Sequence, residues 1–110
     1  MTQPAPTPLP DQLFVLDRGE DSGEFLDMLL TLCTFGMSTS LLLVESGITA
    51  LTAEHRGIPV TRFPEMGLQQ LMVGLHGADD PDPELPESVI TVNSGQIRDL
   101  YARVPRILHP

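Results

Sequence analysis

The sequence predicts an α/β protein, a three-layer α/β/α fold built on a mainly parallel sheet of about five strands. Three observations predict it. Short aliphatic runs at Leu13-Phe14-Val15-Leu16, Leu41-Leu42-Leu43-Val44 and Val89-Ile90-Thr91-Val92 are continuous, as in strands buried on both faces. Segments with helical apolar spacing separate them, the alternation that gives parallel strands. At 110 residues the chain suits one domain that buries about two-thirds of its unfolded surface, without needing metals or disulfides.

Residues 1–11 carry prolines at positions 4, 6, 8 and 10 and are read as a flexible tail. The single α/β domain then runs over 12–110. After the first strand, Asp17-Arg18-Gly19-Glu20 interrupts the apolar run. A helix follows, with Asp21 and Ser22 as competing caps and Glu24 three residues beyond Asp21. Phe25, Leu29 and Leu32 mark its apolar face, Leu26, Leu30 and Cys33 lie beside them, and Gly36 is a natural stop.

The second strand ends at Glu45-Ser46-Gly47. A short helix is expected over Ile48–Glu54, stopped by Gly57. Ile58–Phe63 alternates as a strand, though Pro59 moves it to an edge or a strand start. Leu68, Leu71, Met72 and Leu75 follow the i, i+3, i+4, i+7 rule and predict an amphipathic helix ended by Gly77. Residues 78–87 read as an acidic, proline-rich loop. Val89–Val92 is a further strand. Asn93 and Ser94 are cap candidates, with Gln96 at the capping-box spacing from Asn93. Ile97, Leu100, Tyr101 and Val104 mark the face of a last helix, and Arg106–His109 forms a final strand. Crossovers are expected to be right-handed.

The formal net charge of −9 argues against general nucleic-acid binding, which depends on Lys and Arg displacing phosphate counterions. It argues equally against docking on anionic lipid. The charge serves solubility or faces a basic partner. No apolar stretch approaches the ~20 residues that span a bilayer, and Met1–Pro10 lacks the pattern of a signal peptide. The expected location is cytoplasmic.

Cys33 is the single cysteine, so an internal disulfide and a multi-cysteine zinc site are excluded. As a catalytic candidate it sits poorly. It falls near the C-terminal end of its helix, where the dipole disfavours a thiolate, and among apolar neighbours. A packed core cysteine is the favoured reading. His55, His76 and His109 fit no metal-ligand spacing, so neither a metal nor a cofactor is expected. His55 and His76 are each read near a helix end, where the dipole favours an imidazolium. In open parallel sheets ligands bind beyond the carboxyl ends of strands. That rule singles out Asp17 and Gly19 after the first strand, and Glu45, Ser46 and Gly47 after the second, as a ligand or partner surface. Apolar helix faces and open sheet edges predict oligomerisation.

The segment Leu41-Leu42-Leu43-Val44-Glu45-Ser46-Gly47-Ile48-Thr49-Ala50-Leu51, the compact length and the final strand at the C-terminus resemble the DsrE/DsrF/DsrH-like sulfur-relay superfamily, which includes the TusB, TusC and TusD subunits. The short third segment makes the TusB/DsrH type the most similar. The resemblance covers roughly residues 12–109. It implies a subunit that assembles with itself or with other DsrE-family proteins and docks a sulfur-carrier partner. In the DsrE/TusD branch a cysteine after the third strand carries a persulfide. Here Pro64–Gly77 holds no cysteine, so that activity is expected to be absent and the subunit non-catalytic. Some DsrH-type members carry a cysteine on the first helix; Cys33 lies about one turn beyond that position, near Leu29. Two alternatives stay open: a sulfurtransferase or persulfide carrier using Cys33, and a small-molecule-binding module. A phosphoreceiver is disfavoured because the chain contains no Lys.

Overall fold

A computed structural model describes residues 5–6, 8–18, 23–74 and 88–110. Its centre is a five-stranded parallel sheet in the order β6-β5-β2-β1-β7. The strands are β1 (Gln12–Leu16), β2 (Thr39–Leu43), β5 (Gln70–Gly74), β6 (Val89–Val92) and β7 (Arg106–Leu108). A separate antiparallel pair, β3 (Glu54–His55) and β4 (Ile58–Pro59), forms a small hairpin.

Residue alternation along the strands divides the core into two layers. Phe14, Leu16, Leu41, Leu43, Leu71 and Val73 point to the first face, where α1 (Gly23–Thr34) covers them through Phe25, Leu26, Leu29 and Cys33. The Phe14 and Phe25 rings meet at 4.8 Å with a 43° tilt. Leu13, Val15, Leu42 and Met72 point to the second face, covered by Leu100 and Val104 at α2 (Ser94–Arg103). Chain handedness explains this split. From β1 to β2 to β5 the chain moves one way across the sheet. From β6 to β7 it returns past the other three strands. A right-handed crossover taken in the opposite direction places its helix on the opposite face.

The expected strands at β1, β2, β6 and β7 are present. The first helix ends as expected before Gly36, which takes φ +76; the residues expected to cap its start, Asp21 and Ser22, lie outside the described residues. The capping box at α2 is complete: Asn93 accepts from the Gln96 amide at 2.9 Å, and Gln96 accepts from the Asn93 amide at 2.9 Å.

Three elements differ from the sequence reading. Residues 68–74 do not form an amphipathic helix; Gln70–Gly74 is β5, paired with both β2 and β6. Leu71, Met72 and Val73 are buried on alternate faces, so a continuous apolar run fits where a one-sided helix does not. Ile58–Phe63 is not a sheet strand. Only Ile58–Pro59 pairs, with His55 and Glu54, and Val60–Met66 winds as a 3-10 helix. Pro59 and Pro64 remove ladder donors, and Val60 and Phe63 bury together at the three-residue period of that helix. The helix expected over Ile48–Glu54 is a 3-10 segment over Glu45–Thr52 that buries Gly47 and Ala50, again three apart. Its expected stop at Gly57 is instead the hairpin turn, where Arg56 (φ 54) and Gly57 (φ 78) both adopt the left-handed conformation that two-residue hairpins favour.

The proline-rich stretch read as a tail lies against the second face where it is described. Ala5 is buried there, and its N–H donates to Asp99 Oδ2 of α2 at 2.8 Å. The loop expected over 78–87 falls outside the described residues.

Candidate functional site

All five sheet strands run parallel, so their carboxyl ends share one rim. Four of the five residues singled out from the sequence meet there. Val44 N–H donates to the Leu16 carbonyl at 3.0 Å, bringing the end of β2 beside the end of β1. Ser46 Oγ donates to the Asp17 carbonyl at 2.9 Å. Gly47 packs directly on the end of β1: a Cβ there would lie 2.0 Å from the Leu16 oxygen. Glu45 is exposed and takes φ 54, a conformation uncommon for a residue with a side chain. Gly19, the fifth, lies outside the described residues.

Tyr101 joins this group from α2. Sequence periodicity assigns it to the buried helix face, but it is 43% exposed. Partial burial raises its phenol pKa, and the negative charges of Asp17 and Glu45 raise it further. The phenol therefore stays neutral at physiological pH, beside two carboxylates. Arg18 pairs with Asp17 at 3.3 Å, an exposed contact of little energetic worth. The rim thus offers a neutral hydroxyl and acidic groups, a surface that suits basic side chains and repels anions.

The change of helix face falls between β2 and β6, at the end of β5. Gly74 ends that strand, and a Cβ there would meet Val44 Cγ1 at 2.8 Å and Ile97 Cδ1 at 2.9 Å. The two side chains close over Gly74, so among the described residues the position is packed. Among the described residues, shallow clefts lie elsewhere. One, of about 510 Å³, is lined by Gly57, Ile58, Pro59, Arg62, Glu65 and Met66, with Arg62 and Glu65 paired at 2.8 Å in its wall. Another, of about 240 Å³, lies between the start of α1 and His109-Pro110.

Cys33 does not reach the rim. It is 5% exposed within the first core layer, and burial raises its thiol pKa. Gly67 lies against its backbone, where a Cβ would stand 3.1 Å from the Cys33 oxygen. The remaining polar cluster joins α1 to the hairpin. Asp27 Oδ1 meets His55 Nε2 at 2.7 Å and accepts from Arg56 Nε at 2.6 Å, while Arg56 Nη2 donates to Oδ2 at 2.8 Å. These two partners hold the Asp27 carboxyl well below the usual carboxylate range. His55 therefore sits in a hairpin strand, not at the helix end expected for it. This cluster has no local sequence signal, because His55 and Arg56 lie 28 and 29 residues from Asp27. His109 is exposed, and His76 is outside the described residues. Among the described residues, no three His, Cys, Asp or Glu side chains gather as metal ligands. Nor is any helix there long and apolar enough to cross a membrane.

Comparison with protein-family models and with curated proteins finds no match to this chain.

Proposed function

We propose that this chain is a non-catalytic subunit of the DsrE-like, sulfur-relay kind, which associates with itself or with related chains and docks a sulfur-carrier partner. The observation that carries the non-catalytic part is the burial of Cys33. A persulfide carrier presents a thiolate to solvent, favoured by a lowered pKa. Cys33 is packed in the core with its pKa raised, and it is the chain's one cysteine.

Association is supported by apolar side chains left at the surface. Met28 and Phe35 lie two turns apart on one side of α1 and its end, 45% and 77% exposed, and Met37 follows at 41%. Strand β7 adds an open sheet edge, a surface that proteins commonly cover by association. The Asp17, Glu45 and Tyr101 rim supports a partner that brings basic groups.

Light scattering across a concentration series tests the reading. A dimer or higher assembly is expected; a strict monomer at high concentration contradicts it. Incubation with a cysteine desulfurase and labelled cysteine separates the sulfurtransferase alternative: no label should persist on the chain, and label lost in Cys33→Ser would overturn the non-catalytic assignment. A small-molecule-binding role is the second reading, favoured by the left-handed Glu45 beside the close approach at Gly47. Thermal shifts with a metabolite panel address it.

A further inference from the structure

We propose that residues 5–6 and 8–11 form a strap over the second face of the sheet, and that this strap opens independently of the rest of the domain. Three observations lead to it. The described part of the segment buries Ala5 and Pro10 and half-buries Pro6 and Leu9 without joining the sheet, while Pro8 and Asp11 stay exposed. Ala5 is 3% exposed in one core layer with Leu13, Leu42, Met72 and Leu100, and Leu9 packs against that layer. Pro6, Pro8 and Pro10 have no N–H to donate, so the segment cannot extend the ladder as a strand.

Its polar attachments are few. Among the described residues, Ala5 N–H donates to Asp99 Oδ2 at 2.8 Å, Gln69 Nε2 to the Pro8 carbonyl at 2.7 Å, and Asp11 N–H to the Ser38 carbonyl at 3.0 Å. The first two depend on side chains. Asp99 also accepts from Arg103 Nη1 at 3.2 Å, so it keeps a partner when the strap leaves. The capping box holds the start of α2 without the strap.

The third observation sets the balance. Ser40 Oγ and Gln70 Oε1 are buried with no hydrogen-bond partner. Ser40 and Gln70 are paired in register on neighbouring strands, and alternation places both on the second face with Leu42 and Met72. Burying unpaired polar groups disfavours the closed state. Closure gains the apolar contacts of Ala5 and Leu9; opening exposes the face that holds Ser40 and Gln70. The two states are therefore close in free energy, as local opening units are.

Amide hydrogen exchange on the uniformly labelled full chain tests this. The Ala5 N–H is expected to exchange at least about tenfold faster than those of Val15 and Leu42 in the strands it covers. Ser40→Ala and Gln70→Met remove the unpaired groups, so each should slow Ala5 exchange several-fold relative to the unaltered chain. Equal exchange at Ala5, Val15 and Leu42 would mean that the segment opens only with global unfolding, and would overturn the proposal. So would Ala5 exchange unmoved by Ser40→Ala. Ser40→Ala removes a single oxygen, and the comparison within the unaltered chain stands even if Gln70→Met does not fold.

Discussion

Replacing Gly47 with alanine places one methyl group against the end of β1. The added Cβ would stand 2.0 Å from the Leu16 oxygen, 2.6 Å from its carbonyl carbon and 3.2 Å from the Asp17 nitrogen. All three are backbone atoms at the end of β1, so no flexible side chain can move aside. Overpacking costs roughly 1–3 kcal/mol where neighbours can adjust, and a backbone clash belongs at the upper end, about 3 kcal/mol. A chain of 110 residues has an unfolding entropy of about 0.23 kcal/mol/K, so the melting temperature should fall by about 13 °C. Two other glycines calibrate the measurement. At Gly74 the obstacles are the tips of Val44 and Ile97, which can shift, and Gly74→Ala should cost about 1–2 kcal/mol. At Gly23, the first residue of α1, nothing lies within 4 Å, so Gly23→Ala should be neutral or stabilise by about 0.5 kcal/mol. Thermal and urea unfolding followed by circular dichroism give all three values. If Gly47→Ala melts within a few degrees of the unaltered chain, or costs less than Gly74→Ala, the junction of β1 with the first 3-10 segment is not built as described.

Other perturbations address the remaining features. The folded Asp27 pKa lies below its ordinary value of 3.8, so its contribution is present above that pH and is lost as pH falls below it towards the folded value. Asp27→Asn should therefore give a flatter stability profile than the parent below about pH 4, measured by urea unfolding at several pH values; parallel profiles would contradict the cluster. Asn93→Ala removes the capping box of α2 and should cost about 1 kcal/mol, read from the urea midpoint at unchanged slope. Phe35→Ser changes a side chain that is 77% exposed, so stability should move by less than about 0.5 kcal/mol. The same variant should weaken self-association in sedimentation velocity, and undiminished association would remove Phe35 from the proposed interface.

The sheet was legible where sequence and burial agree on one period. Continuous aliphatic runs at β1 and β2 have the pattern of strands covered on both faces, and both are fully buried. The Asn93 and Gln96 spacing likewise led to the cap that forms. Residues 68–74 were misread because a short apolar run satisfies the helical and the buried-strand templates alike. Gly67 at φ +102 and Gly74 bound it too tightly for a helix, and the decisive fact is the pair of neighbours, β2 and β6, which are distant in sequence. The two 3-10 segments have a three-residue burial period that helical templates resemble only loosely. At the rim, Asp17, Glu45, Ser46 and Gly47 were accessible through the rule that parallel strands gather their carboxyl ends. Tyr101 was not, because helical periodicity places it beside Leu100, yet it is 43% exposed and feels the charges of Asp17 and Glu45. The Asp27, His55 and Arg56 cluster depends wholly on tertiary contact.

The inward position of Cys33 underlies both the first core layer and the non-catalytic assignment, and the rate of its reaction with a small aromatic disulfide reagent at pH 8 tests it most directly. With the thiol 5% exposed and its pKa raised by burial, modification should be at least about a thousandfold slower than in urea-unfolded chain and should track the unfolding equilibrium. Stoichiometric modification of the native chain within seconds would contradict the account.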